Sequence, residues 1–298
     1  MKHIPDILCI GAAHWDIIGH SPAQIGVGDD VPGQIDQSPG GVAFNIARTL
    51  AQHGHRPALI AAIGQDAPGT ALVTAIKAAA IDTSFLVMQD GAHTDSYLAI
   101  EGAQGLVAAI AASAALEALD LSCLAPLQDG RLATPASPWR GPVVVDSGLS
   151  DQLLHALALA PELRRADLRL AAASPAKAAR LRPFLARPRC TVYLNLAEAS
   201  GLCDTPFTDS ASAARALLHL GAARALVTDG PRSVTDANAT TEITLPPPAT
   251  AARRATGAGD CFMGAHIAQE LGGAARRAAL EFALSAAAAH VAQPPNQS

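Results

Sequence analysis

Apolar residues along the chain fall into two alternating rhythms. Short runs such as "DILCIG", ending at Gly11, "PALIAAIG" (57–64), "PVVVD" (142–146), "DLRLAAA" (167–173), "TVYLN" (191–195) and "ARALVTDG" (223–230) are apolar on consecutive positions. Such runs read as strands buried on both faces. Between them lie helical patterns. In "GGVAFNIARTLAQHG" (40–54), Val42, Ile46 and Leu50 recur at helical spacing and Gly54 supplies a stop. "GTALVTAIKAAAI" (69–81) predicts the next helix. Strands alternating with helices predict a parallel sheet covered on both faces, with ligands at the carboxyl ends of the strands.

Two segments break the alternation. Residues 17–39 are rich in Gly, Pro and Asp, and residues 94–112 read as two strands around a turn at "EGAQG". Both are expected in a small antiparallel sheet projecting from the main body. Residues 129–141, "DGRLATPASPWRG", read as a surface loop. The composition is 50% hydrophobic but only 3% aromatic, so alanine dominates and helices are expected to pack closely. No apolar run predicts a membrane span, and the start "MKHIPDILCIGAAHWD" has no signal-peptide pattern. A net charge of −5 argues against nucleic acid as a partner. Five scattered cysteines without a CxxC pair fit reduced thiols, which predicts a cytoplasmic protein.

Four places carry candidate chemistry. In "TGAGD" (256–260), the turn of Gly257, Ala258 and Gly259 opens a helix and offers free N–H groups at the positive end of its dipole, an anion site. Asp260 then reads either as an acid favoured at a helix start capped by Thr256, or as a base for a hydroxyl attacking phosphorus. Gly40 and Gly41 permit close approach to the backbone, and Asn45 either holds sugar hydroxyls or is a polar surface residue. Asp16, in "GAAHWD" after the first strand, is a solvated turn residue or an acceptor for two hydroxyls, and His14 is ambiguous in the same way. Asn195 and Glu198 in "NLAE" form a helix start with a favourable acid, or organise waters around Mg²⁺.

In this order, these motifs resemble the pfkB, or ribokinase-like, family of carbohydrate and nucleoside kinases from about Ile7 to about Val291. "GGVAFNIARTLAQHG" is similar to the family's first signature and "ATGAGDCFMGA" to its second, the more specific one. The resemblance implies one α/β domain over residues 1–298: a three-layer α/β/α body with a mostly parallel central sheet, and a β-lid formed by about 17–39 and 94–112. It implies ATP and Mg²⁺ as cofactors and a small sugar or nucleoside as substrate. Asp260 would be the catalytic base, with Gly257, Ala258 and Gly259 as its anion hole. Asp16, Gly40, Gly41, Asn45 and His14 would hold the sugar, and Thr228, Gly230 and Thr256 would lie beside the nucleotide. Asn195 and Glu198 would serve Mg²⁺ and phosphate. The lid would close over substrate and join two copies as a homodimer. Within the family, "SPGGVAFNIARTLA", "AAASPAKAARLRPFL" and "TDSYLAIEGAQGLVAAIA" are most similar to pseudouridine kinases.

Three positions depart from the family pattern. His14 stands where many relatives carry Asn, and Ser233 where a second glycine is usual. Arg254 stands where many place an Asp that helps hold a potassium ion. The guanidinium either replaces that monovalent cation or points to solvent while backbone carbonyls hold it.

Overall fold

The computed structural model describes residues 4–251 and 256–293. In chain order its strands are β1 (Ile7–Ile10), β2 (His14–His20), β3 (Gln34–Gly40), β4 (Pro57–Ile60), β5 (Ala62–Gly64), β6 (Val87–Gln89), β7 (Ser96–Gly102), β8 (Gly105–Ala112), β9 (Pro142–Asp146), β10 (Asp167–Ala171), β11 (Cys190–Asn195), β12 (Arg224–Asp229), β13 (Ser233–Asn238) and β14 (Glu242–Leu245). The helices are α1 (Val42–Gln52), α2 (Ala67–Ala78), α3 (Ala114–Glu117), α4 (Asp151–Leu159), α5 (Leu196–Cys203), α6 (Ser210–His219), α7 (Ala258–Leu271) and α8 (Arg276–Ala292).

The main sheet has eight strands in the order β14-β13-β12-β11-β10-β9-β1-β4. The six from β4 to β12 run parallel, and β13 and β14 add an antiparallel edge. The predicted doubly covered parallel sheet is what the chain forms, because runs such as "ILCI" and "PVVVD" bury every side chain. Two apolar layers result. One packs Leu153, Leu157 and Phe184 against one face, and the other packs Phe44, Ile46, Met263 and Leu280 against the opposite face. The run "PALIAAIG" forms two strands, not one: β4 joins the main sheet, while β5 pairs with β6 in a separate two-stranded sheet. Every residue of the run is buried, so its apolar pattern carries no mark of the break.

The segments expected to form a lid build a separate four-stranded sheet of order β3-β2-β7-β8, the lid sheet. It starts at His14, earlier than the sequence suggested, and it is mixed, not antiparallel, since β2 and β7 pair in parallel. The reason is geometric. Both strands leave the body outward, and β3 and β8 return beside them as hairpin partners. Asp95 belongs to the anchor beneath the lid. Its carboxylate accepts the N–H groups of Ala115 and Leu116, both at 2.9 Å, and its carbonyl accepts the N–H of Trp15. Strand alternation then divides the lid into two faces. Ser38, Asp16 and Tyr97 share one row of the face toward the body. Ile17, Leu98 and Ile110 share the adjacent row on the outer face, next to Ile35 and Ile100.

Helices α7 and α8 are tied to the sheet by a buried ionic network. Asp236, with no exposed surface, accepts two bonds from Arg224 (2.7 and 2.6 Å) and two from Arg276 (2.7 and 2.6 Å). Glu270 on α7 pairs with Arg224 and with Arg169, and Arg169 also bonds Asp167 and the Tyr193 hydroxyl. Burial alone would raise the Asp236 carboxyl, but the two guanidiniums outweigh it and hold the group below the ordinary carboxylate range. Asp236→Ala leaves two guanidiniums without their shared carboxylate. It is expected to cost about 3–5 kcal/mol, the usual penalty for an orphaned buried charge. A chemical-denaturation series checks this, and a loss below about 1 kcal/mol would show that solvent relieves the arginines.

Candidate active site

A cleft of about 450 Å³ lies between the carboxyl ends of the parallel strands and the inner face of the lid. That volume suits a small ligand. Asp260 sits on one wall, in the first turn of α7, where the helix dipole is positive. The helix starts at Gly257, whose φ of 79° lies in the left-handed region that glycine occupies without strain. Thr256, Gly257 and Gly259 line the same wall, and Ala258 is the first residue of the helix. Asn45 Nδ2 donates to Asp260 Oδ2 at 2.9 Å, while Arg48 donates to Asn45 Oδ1 at 3.3 Å. The amide of Asn45 is thus oriented between a carboxylate and a guanidinium while it lines the cleft. Burial pushes the Asp260 carboxyl up to about 7, with the nearby Asp146 and Asp16 carboxylates adding to the rise and the Asn45 bond opposing it.

Asp16 and His14 project from β2 into the cleft, with His14 Nε2 3.1 Å from Asp16 Oδ1. Gly40 does not line the cleft, contrary to the sequence expectation, but it makes Asp16 possible. A Cβ at residue 40 would sit 2.1 Å from Asp16 Oδ2. Gly41 does line the cleft and takes φ 102°, and a Cβ there would meet the Ala12 carbonyl oxygen at 2.5 Å.

The far side of the cleft holds Asn195, Glu198 and Thr228. The helix-start reading of "NLAE" holds. Asn195 caps α5 by accepting the Glu198 N–H at 2.9 Å, and Glu198 Oε2 accepts the Asn195 N–H at 2.8 Å, a capping box. The same pair faces the cleft. Burial, then the charge of Asp260, pushes the Glu198 carboxyl up to about 7. Gly230 is exposed in the turn after β12, at φ 52°, outside the residues that line the cleft. The turn is organised by Arg232, which chelates Asp229, and Ser233 bonds Ser210 at 2.8 Å. Arg254 lies outside the described residues.

Residues 5–298 match the sequence profile of the pfkB family carbohydrate kinases. The chain belongs to this family. Its fold is ribokinase-like: Arabidopsis thaliana ribokinase, solved with ribose and ATP, superposes with a TM-score of 0.81 at 19% identity, over 99% of this chain and 95% of that one. A carbohydrate kinase from Agrobacterium tumefaciens superposes with a TM-score of 0.77 at 29% identity, over 95% of this chain and 89% of that one. Pseudouridine kinase of Escherichia coli is 33% identical over 100 residues, a stretch that spans only 34% of this chain and 32% of that protein.

Three cleft residues of this pfkB-family chain escaped the sequence reading: Tyr97, Tyr193 and Ser174. Tyr97 faces inward beside Asp16, and burial, with Asp16 and Glu101, raises its hydroxyl above the usual range. Its signal was the alternation of "SYLAIE", which sets Tyr97 opposite Leu98 and Ile100. Tyr193 had no such signal, because it lies within an otherwise apolar buried strand. Gly40→Ala must displace the Asp16 carboxylate. It is expected to raise the acceptor KM more than about tenfold, the equivalent of one or two charge-assisted hydrogen bonds, with the ATP KM unchanged. Initial-rate kinetics with each substrate varied in turn decide it. An unchanged acceptor KM would mean that Asp16 does not contact the acceptor.

Proposed function

We propose that the chain transfers the γ-phosphoryl group of ATP to a primary hydroxyl of a ribose-like acceptor, and that the acceptor is pseudouridine. The observation that carries this reading is Asp260. A half-buried carboxylate with its pKa moved to about 7 sits at a helix N-terminus, in one cleft with Asp16 and the lid. Asp260 takes the proton as the acceptor oxygen bonds to phosphorus, and ADP departs with the cleaved bond's electrons. The N–H groups at Gly257, Ala258 and Gly259 receive charge developing on the transferred group. Asp16 binds sugar hydroxyls. Tyr97 and His14, on the inner lid face, are suited to a nucleobase, and the segment similar to pseudouridine kinase favours the same acceptor.

The residues present fit Mg²⁺. Among the described residues no group of three or more His, Cys, Asp or Glu could hold a metal directly. The cleft offers the single Glu198 beside Asn195, which suits an ion held mainly by phosphate oxygens and water. Bound there, it would neutralise phosphate charge. Thr228 and Thr256 line the nucleotide side of this reading. The five cysteines are free and all buried or half-buried, in keeping with a reducing, cytoplasmic setting. Among the described residues no helix is long and apolar enough to cross a membrane.

A coupled ADP-release screen over pseudouridine, uridine, adenosine, ribose and fructose tests the reading. Pseudouridine is expected to give the highest kcat/KM. A preference for ribose or fructose overturns the acceptor, and no turnover with any of them overturns the kinase. Asp260→Asn is expected to lose about 10²–10⁴-fold in kcat, the usual contribution of a general base, while ATP still binds. In the unmodified protein, kcat/KM should fall below about pH 7 as Asp260 takes up its proton. A flat profile from pH 5.5 to 8 would exclude Asp260 as the titrating base.

The outer lid face supports a homodimer. Ile35 is 78% exposed and Ile110 65%, and they continue the row of Leu98 and Ile100. So much contiguous apolar surface is characteristic of an interface. Ile110→Asp is expected to halve the mass found by light scattering after gel filtration. A monomeric unmodified protein would refute the interface.

A further inference from the structure

We propose that His290, near the carboxyl end of α8, is a positioning residue for the anion hole, a role that rests on reading the Gly257–Gly259 turn as the site of the transferred phosphoryl group. His290 Nε2 lies 2.9 Å from the Thr256 carbonyl oxygen. A carbonyl can only accept, so Nε2 carries the proton and donates. The Thr256 carbonyl and the Gly257 N–H are two ends of one peptide unit. A donor on the oxygen orients that unit and polarises it, which makes the Gly257 N–H a stronger donor on its other side. That other side is the cleft wall, which Thr256 and Gly257 both line.

The contact has a reason to exist. Gly257 stands at φ 79° with no side chain, and its own neighbouring peptides can rotate at little steric cost. An anion hole acts through donors that are already aimed before charge develops, so a free rotation there would waste it. The ring of His290 also packs against the glycine: a Cβ at residue 257 would come within 3.3 Å of Nε2. His290 itself is carried by a firm support. Its helix is bound at the other end through Arg276 to the buried Asp236, about 21 Å away at 1.5 Å per residue. The histidine is thus outside the reacting groups and acts on them through the Thr256–Gly257 peptide.

The test compares His290→Phe, which keeps a ring and removes the donor, with His290→Gln, whose amide nitrogen can reach the same carbonyl. ADP release is measured with ATP and the preferred acceptor, each varied. His290→Phe is expected to lower kcat about tenfold while both KM values stay within about twofold, and His290→Gln to recover kcat to within about threefold of the unmodified protein. A wild-type kcat in His290→Phe overturns the proposal. So does a His290→Gln variant as slow as His290→Phe, or a loss that appears in KM. Asp260→Asn run in parallel separates the two levels of the argument. If it is inactive while His290→Phe is unimpaired, the base stands and only the histidine's role falls. If Asp260→Asn keeps its activity, the underlying reading falls and takes the proposal with it.

Discussion

The cleft is arranged around one fully buried carboxylate that does not itself line it. Asp146, at the end of β9, accepts the N–H of Ala12 at 2.9 Å and that of Gly148 at 2.7 Å. Gly11 permits this approach, since a Cβ there would fall 2.3 Å from the Cβ of Asp146. The other side of Ala12 is held too, because its carbonyl accepts the N–H of Phe44 in the first turn of α1. One short stretch after β1 is therefore clamped between a neighbouring strand and a helix start. From that clamp the chain enters β2, so the positions of His14 and Asp16 follow from it, and through α1 so does that of Asn45.

The same clamp brings like charges together. Asp146 and Asp16 both raise the Asp260 carboxyl, on top of its burial. A group whose folded pKa lies above its unfolded value stabilises the fold most at low pH, and that contribution is lost as pH rises through the folded pKa. For Asp260 the window runs from the ordinary carboxylate range up to about 7. The ionised form, which the proposed reaction would use, is thus the form the fold favours least. Stability has to come from elsewhere, and the network of Arg169, Arg224 and Arg276 with Asp167, Asp236 and Glu270 balances three guanidiniums against three carboxylates. It holds the far end of α7, whose first turn carries Asp260.

Much of this was legible in the residues. Fully apolar runs specified the parallel sheet because both of its faces are covered, and "TGAGD" and "SPGGVAFN" marked two helix starts that meet across 215 residues of chain, at the Asn45–Asp260 bond. What was not legible concerns partners in space. Gly40 and Gly41 look alike in sequence. Only Gly41 has the positive φ, while Gly40 is small because Asp16 lies beside it. The parallel pairing of β2 with β7 could not be inferred from hairpin signals, which report only neighbours along the chain.

In the proposed reaction, the elevated pKa of Asp260 also constrains how the hydroxyl would be activated. A shift from 3.8 to about 7 makes Asp260 roughly 10³ times more basic than a solvated carboxylate. An alcohol remains far weaker as an acid, so the carboxylate cannot hold a preformed alkoxide. The proton must move as the oxygen closes on phosphorus and its acidity rises. A loose phosphoryl transition state makes the same demand, since little bond order reaches the nucleophile until late. On the proposed reading the base contributes most through position, which fits an oriented amide, Asn45, bonded to a carboxylate whose proton affinity that very bond lowers. Geometry at Asp260 outranks basicity, and the glycines, the clamp at Ala12 and the anchored helix all serve the geometry.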